Sequence, residues 1–327
     1  MLAVAAGGRG AWSESAGARM RKDIHNSEIP ALCAACEARH RGVCGALSPA
    51  QLLALSKTSS KQKAEPGAEI VYAWPSFSVY PQLTADSGAT EVRVPLDADD
   101  RHDLDAMAAA ITVATRLVVV CNPNNPTSTA LPLADVEAFL AKVPPYVCVI
   151  LDEAYCEFNT LDDPDASIDL LARHPNLVLL RTFSKVYGLC GLRVGYALAG
   201  DARFVEAVDV VRQPFFCNSA AQAAAVEALK HGDAVSMRVE RALVARVDME
   251  EGLRGLGLRV ADSEANFAWV HLPGHIDEVE VLDGLTERGV LVRAGTALGR
   301  ENALRVTYGS PEHNARFLAA LAATLPA

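Results

Sequence analysis

Five short runs of apolar and β-branched residues, at 69–72, 91–94, 116–121, 146–151 and 176–182, recur along the chain with amphipathic stretches between them. Strands that alternate with helices are joined by crossovers, and this pattern builds a largely parallel sheet. Residues 133–143 and 167–173 carry helical apolar spacing, and longer helical segments follow residue 201 and reach 257. Beyond that the rhythm changes. Runs at 266–272, 289–293 and 303–308 read as strands separated by helices at 276–288 and 311–324. The pattern predicts an α/β fold, with a mostly parallel large domain over 67–240, a smaller C-terminal α+β domain over 241–327, and no internal repeat.

The first 66 residues differ in character. They are net basic and rich in Ser, Gly and Cys, while the remainder carries the acidity behind the chain's formal charge of −10. Ser48-Pro49 is their one good helix start, an N-cap followed by proline, and the rest reads as a poorly ordered leader. Half of the 327 residues are apolar and 21% are charged, the balance of a folded globular protein. The acidic balance argues against nucleic acid or an anionic membrane as partner and favours small molecules. No uncharged apolar run reaches the ~18 residues that span a bilayer. Residues 1–8 lack a basic n-region and are interrupted by Arg9, so a secretory signal is not expected and the cytoplasm is. The eight cysteines, in a chain of this size, read as free thiols.

In an open α/β sheet, ligands sit beyond the carboxyl ends of the strands, so polar residues directly after apolar runs are the ones to weigh. The run ending at Cys121 is followed by Asn122-Pro123-Asn124-Asn125-Pro126-Thr127, and that ending at Leu151 by Asp152-Glu153-Ala154-Tyr155. A third leads into Arg181-Thr182-Phe183-Ser184-Lys185, then Gly188, Gly191 and Arg193. Singly these are ordinary: Asn-Pro pairs make turns, Asp after a strand caps helices, and Ser with Lys is common in loops. Together they offer what pyridoxal phosphate requires. A carboxylate keeps the pyridine nitrogen protonated, a lysine forms the Schiff base, and hydroxyls with an arginine grip the phosphate.

Asn125-Pro126-Thr127, Asp152-Glu153-Ala154-Tyr155 and Ser184-Lys185 with Gly191-Leu192-Arg193-Val194-Gly195 resemble the fold-type-I pyridoxal-phosphate aminotransferases. Trp74-Pro75-Ser76-Phe77, Arg181-Thr182-Phe183-Ser184-Lys185, Val211-Arg212-Gln213-Pro214-Phe215, Ala265-Asn266-Phe267 and Leu304-Arg305-Val306-Thr307-Tyr308-Gly309 are most similar to the histidinol-phosphate aminotransferase family, over about 69–327. The resemblance implies the PLP-dependent transferase fold type I. It makes Lys185 the Schiff-base lysine and proton carrier, and pairs Asp152 with the pyridinium nitrogen. Asn125 and Tyr155 would bond the ring's phenolic oxygen, Phe77 would stack on the ring, and Thr182, Ser184 and Arg193 would hold the phosphate. Arg305 corresponds to the arginine that binds the substrate's anionic group. Arg293, on the preceding strand, is a second candidate for that anion, with a surface salt bridge as its alternative.

The implied reaction is transamination between histidinol phosphate and 2-oxoglutarate, giving imidazole-acetol phosphate and glutamate, in histidine biosynthesis. Aromatic amino-acid transamination is the alternative, and the family implies a homodimer.

Two departures accompany the resemblance. The family's usual glycine after Asn-Pro-Thr is Ser128 here, at a position that often takes φ > 0, so a modest local adjustment is expected. The family's N-terminal arm, intersubunit tyrosine and phosphate-binding Gly-Ser/Thr-Asp/Glu turn are not found in 1–66, so that part of the fold is expected to be missing or replaced. Instead Cys33-x2-Cys36-x7-Cys44, with Arg39-His40-Arg41-Gly42-Val43, resembles the N-terminus of Crp/Fnr-type regulators over about 22–66. Free thiols are the first reading of these cysteines. An iron–sulfur or zinc site lacks a fourth ligand. A second class of function follows from these departures, a catalytically impaired fusion whose leader responds to metal or redox state.

Overall fold

The computed structural model of the chain describes residues 4–6, 67–212 and 216–326. The cysteine cluster at 33, 36 and 44, the helix start at Ser48 and the rest of the leader beyond 4–6 lie outside the described residues. Seven strands form the large sheet in the order β1-β7-β6-β5-β4-β2-β3. Five of them are mutually parallel: β2 (Glu69–Trp74), β3 (Thr90–Pro95), β4 (Thr115–Cys121), β5 (Cys148–Asp152) and β6 (Leu177–Thr182). Strand β7 (Gly195–Ala199) runs antiparallel to β6, and β1 (Val4–Ala6) pairs parallel to β7 at the edge.

The apolar runs are continuous because both faces of this sheet are covered. Successive side chains point to opposite faces, so Val118, Val120, Val149, Leu151, Leu177 and Leu179 pack on one side with Met107 of α2 (Leu104–Ala109) and Val136, Phe139 and Leu140 of α3 (Leu133–Leu140). On the other side Leu117, Val119, Ile150 and Val178 meet Tyr80 of α1 (Val79–Ser87) and Phe204, Ala207 and Val208 of α4 (Ala202–Val211). Burying a side chain of this size contributes roughly 1.5–3 kcal/mol.

After α5 (Ser219–Ala228) and the long α6 (Gly232–Gly255), a second, antiparallel sheet follows in the order β10-β11-β9-β8. Its strands are β8 (Arg259–Val260), β9 (Phe267–His271), β10 (Arg293–Ala294) and β11 (Ala303–Thr307). Its core joins Ala268, Val270, Leu304 and Val306 to Met249 and Leu253 of α6, Val281 and Leu285 of α7 (Glu278–Glu287), and Phe317 and Leu321 of α8 (Pro311–Ala322). Asp277 and Ser310 cap α7 and α8, and Pro311 opens the latter.

Two of the expected elements take another form. Residues 167–172 belong to a 3₁₀ turn, Ala166–Ala172, with Arg173 just past its end, because the segment has no N-cap side-chain bond and only a few residues before the chain must enter β6. Of the run at 289–293 only Arg293 is in a strand, the two-residue β10, since Gly289 adopts φ 68° and turns the chain as α7 ends. Among the described residues no helix is long and apolar enough to cross a membrane, and no group of three His, Cys, Asp or Glu is arranged to hold a metal ion.

Candidate active site

Parallel pairing brings the carboxyl ends of β2, β4, β5 and β6 to one edge of the large sheet, where most of the residues singled out above gather. The turn after β4 is built by its own amides. Asn122 bonds Leu131 in both directions, accepting at Oδ1 (2.8 Å) and donating from Nδ2 (3.0 Å). Asn124, fully buried, accepts from Ser76 Oγ (2.7 Å) and donates to Pro75 O and Thr127 Oγ1. The Trp74-Pro75, Asn122-Pro123 and Asn125-Pro126 bonds are cis. Ser128 keeps the left-handed conformation, at φ 62°, and its hydroxyl turns back onto Thr127 O at 2.5 Å. With Asn122 and Asn124 spent on the turn, Asn125 is the amide left for other work. Its Oδ1 accepts from Arg305 Nη1 of β11 at 2.6 Å, which leaves Nδ2 as a donor.

Asp152 ends β5. Its Oδ2 accepts from the Tyr80 hydroxyl at 2.7 Å and its Oδ1 from Ala154 N–H at 3.2 Å. Burial pushes this carboxyl above the usual range, while the two hydrogen bonds and the positive charge of Lys185 pull the other way. Asp152 forms no direct ion pair among the described residues, so it is a desolvated carboxylate suited to a cationic partner. Lys185 is half-buried, its Nζ 4.9 Å from the centre of the Tyr155 ring. Tyr155 in turn packs edge-on against Phe267 of β9, centroids 5.1 Å apart.

Arg305 sits half-buried with its guanidinium 5.0 Å from the Phe267 ring, and its buried Nε has no partner among the described residues. Arg293 of β10 lies directly opposite it in the strand register. Burial and the Arg293 charge depress the Arg305 pKa, and Tyr155 opposes them. Two arginines paired in the strand register, one with an unfilled donor, make this a candidate seat for an anion.

Thr182, at the end of β6, accepts from Ser184 N–H at 3.0 Å through its hydroxyl, so those two side chains share one loop. Arg193 is exposed, at φ 55°, with Nη1 donating to Cys190 O at 2.7 Å, and Phe77 is 37% exposed with its ring edge-on to Tyr80. Arg181, one residue before Thr182, points to the other face. It is locked by Glu153 (2.8 Å), Asp165 (2.7 Å), Ser167 and Pro164 O, a buried tie between the 3₁₀ turn and the sheet.

Three features escaped the sequence reading. Tyr80 is signalled only by its spacing of three from Phe77, and Phe267 only as part of a motif. Asp100, a left-handed residue at φ 62°, collects Arg259 (2.8 Å) and His271 (2.7 Å) from the second sheet and Arg300 (2.9 Å) from the connection that leads into β11, partners far away in sequence.

Residues 53–321 match the family described as aminotransferase class I and II. The match includes 53–66, which the sequence reading assigned to the regulator-like leader. The chain is 45% identical over 279 residues to the aromatic amino acid aminotransferase of Nocardia farcinica, covering 84% of this chain and 74% of that one. It is 44% identical over 276 residues to the enzyme of the same name from Rhodococcus jostii, covering 84% and 73%. Among solved structures, it is similar to histidinol-phosphate aminotransferase from Sinorhizobium meliloti in complex with pyridoxal-5'-phosphate, with a TM-score of 0.74, 28% identity, and coverage of 84% of this chain and 73% of that one.

Proposed function

This chain belongs to the class I and II aminotransferases, and within that family we propose that it transfers the amino group of an aromatic amino acid to a 2-oxo acid. It is a PLP-dependent transaminase of fold type I, acting on small amino and keto acids. The donor set fits the cofactor. Among the described residues Asp152 is a half-buried carboxylate without an ion-pair partner, Arg305 has a buried donor left unfilled, and Lys185 stands beside Tyr155. When bound, pyridoxal phosphate supplies a ring that withdraws the electrons left on the substrate's α-carbon as its proton departs.

In this reading Asp152 pairs with the ring nitrogen, and Thr182, Ser184 and Arg193 hold the phosphate. Phe77 covers a face of the ring. Asn125, oriented through the hydrogen bond its Oδ1 accepts from Arg305, donates from Nδ2 to the ring's phenolic oxygen together with the Tyr155 hydroxyl. Lys185 Nζ would be the base that carries the α-proton, and proton transfer by a positioned side chain contributes about 10²–10⁴-fold. Arg305 binds the substrate's carboxylate, with Phe267 as the apolar wall beside it. Two copies of the chain form the working unit, which sedimentation of the holoenzyme tests directly.

The observation that carries the substrate is the extended identity to proteins named aromatic amino acid aminotransferase. It reverses the order of preference drawn from the sequence, which put histidinol phosphate first. The second reading keeps one observation in its favour: Arg293 pairs with Arg305 in the strand register, so a second arginine is at hand for a phosphate. Steady-state kcat/KM for phenylalanine and for histidinol phosphate, each with 2-oxoglutarate, decides between them. The larger value is expected for phenylalanine, and the reverse would restore the histidinol-phosphate reading.

A further inference from the structure

Phe77 and Tyr80 share the bend where β2 gives way to α1. Tyr80 N–H donates to Phe77 O at 2.9 Å, and their rings meet edge to face with centroids 5.7 Å apart. The Tyr80 side chain is buried on the sheet, with Tyr72 as a second ring neighbour at 5.9 Å, and its hydroxyl donates to Asp152 Oδ2, 72 positions along the chain. The other bond to this carboxylate, from Ala154 N–H, is longer at 3.2 Å. The Tyr80 hydroxyl is therefore the short contact that holds one oxygen of Asp152.

We infer that Tyr80 is a positioning residue for the cofactor: its hydroxyl keeps Asp152 oriented and ionised, and thereby sets how firmly the ring nitrogen holds its proton. This rests on the reading that Asp152 meets that nitrogen. Burial and the neighbouring Asp152 charge raise the pKa of the phenol well above its usual value, so the hydroxyl is a donor at neutral pH. A donor aimed at a carboxylate favours its charged form, against the desolvation that favours the neutral one. Without the hydroxyl, the proton shared between carboxyl and ring nitrogen moves toward Asp152, and the charge-assisted pairing weakens. Because the same tyrosine supports the edge of Phe77, one residue ties together the carboxylate and the aromatic assigned to the ring.

The test is cofactor binding, measured by equilibrium dialysis of the full chain with pyridoxal phosphate and with its 1-deaza analogue, in which carbon replaces the ring nitrogen. Wild type should prefer pyridoxal phosphate. In Tyr80→Phe, which keeps the ring contacts, that preference should shrink about tenfold, the size of one charge-assisted hydrogen bond, through weaker binding of pyridoxal phosphate alone. The ¹⁵N resonance of bound, ring-labelled cofactor should move toward the neutral-pyridine position. An equal loss for both cofactors, or no loss for either, would overturn the role of Tyr80 while leaving Asp152 in place. A wild type indifferent to the ring nitrogen would overturn the pairing itself and this inference with it. If Tyr80→Phe does not fold, 3-fluorotyrosine at position 80, a stronger donor of nearly the same shape, should widen the preference, and an unchanged preference overturns the inference.

Discussion

In the large sheet Val118, Val149, Leu177 and Leu179 close a core of apolar side chains. The seam between the two sheets instead closes around the carboxylate of Asp100, which takes Arg259, His271 and Arg300 from the far side. Further along the seam, Glu264 accepts from Thr160 N–H (2.7 Å) and Thr160 Oγ1 (2.8 Å), its own N–H donates to Ser128 O, and Arg305 reaches Asn125. Apolar burial is insensitive to pH and to direction, so it fixes where the strand ends lie. Charged and hydrogen-bonded contacts are directional and titrate, so the second sheet, with Arg305 and Phe267, is set against those strand ends by forces that can be tuned without disturbing either core.

The sharpest way to break that contrast is to cut into each side separately. Leu179→Ala, at a fully buried position, should lower stability by about 2–5 kcal/mol and leave kcat per folded molecule unchanged. Denaturant unfolding alongside active-site titration measures both, and a large loss of kcat at undiminished stability would deny the core its purely structural part.

Asp100→Asn should cost less, about 1–2 kcal/mol, because two of the partners are arginines reaching solvent and Asn tolerates the left-handed backbone. Its signature is in the pH dependence. Burial alone would raise the Asp100 pKa, but the hydrogen bond and charge of His271, with Arg259 and Arg300, hold it below the ordinary carboxylate value. A depressed folded pKa gives stability that is fully present above the unfolded value of about 3.9 and lost as pH falls through the lower folded one. Wild type should lose this increment in that acid window, the variant should not, and acid unfolding curves of equal steepness there would contradict the electrostatic seam.

Ser128→Gly is the smallest change. It relieves a side chain at φ 62° and should stabilise by up to about 1 kcal/mol, partly offset by the freer unfolded chain, with thermal unfolding as the readout.

The same contrast explains what could be read from the sequence. The strands β2, β4, β5 and β6 are legible because a sheet covered on both faces writes itself as unbroken apolar runs, and Asn125, Asp152, Tyr155, Thr182, Ser184 and Lys185 stand out as candidates because they follow or end those runs. Strand β7 was missed: its Gly195-Tyr196-Ala197-Leu198-Ala199 alternates a small buried position with a half-covered one and carries no strong β-run. Helix α1 was missed too, with Pro81 in its first turn and no side-chain cap at Ser78. Asp100 cannot be paired with Arg259, His271 and Arg300 by any local pattern, since only the folded arrangement of the two sheets brings them together. Tyr80 escaped for the same reason, because the residue it serves is on another strand.

The proposed function requires Lys185 to carry the cofactor. The most direct test is the visible absorption spectrum of the full chain after loading with pyridoxal phosphate and dialysis, before and after borohydride, for wild type and Lys185→Ala. Wild type should retain a chromophore that borohydride removes and fixes to the protein, and Lys185→Ala should lack it. A chromophore that survives unchanged in Lys185→Ala, or a wild type that retains no cofactor, would contradict the assignment.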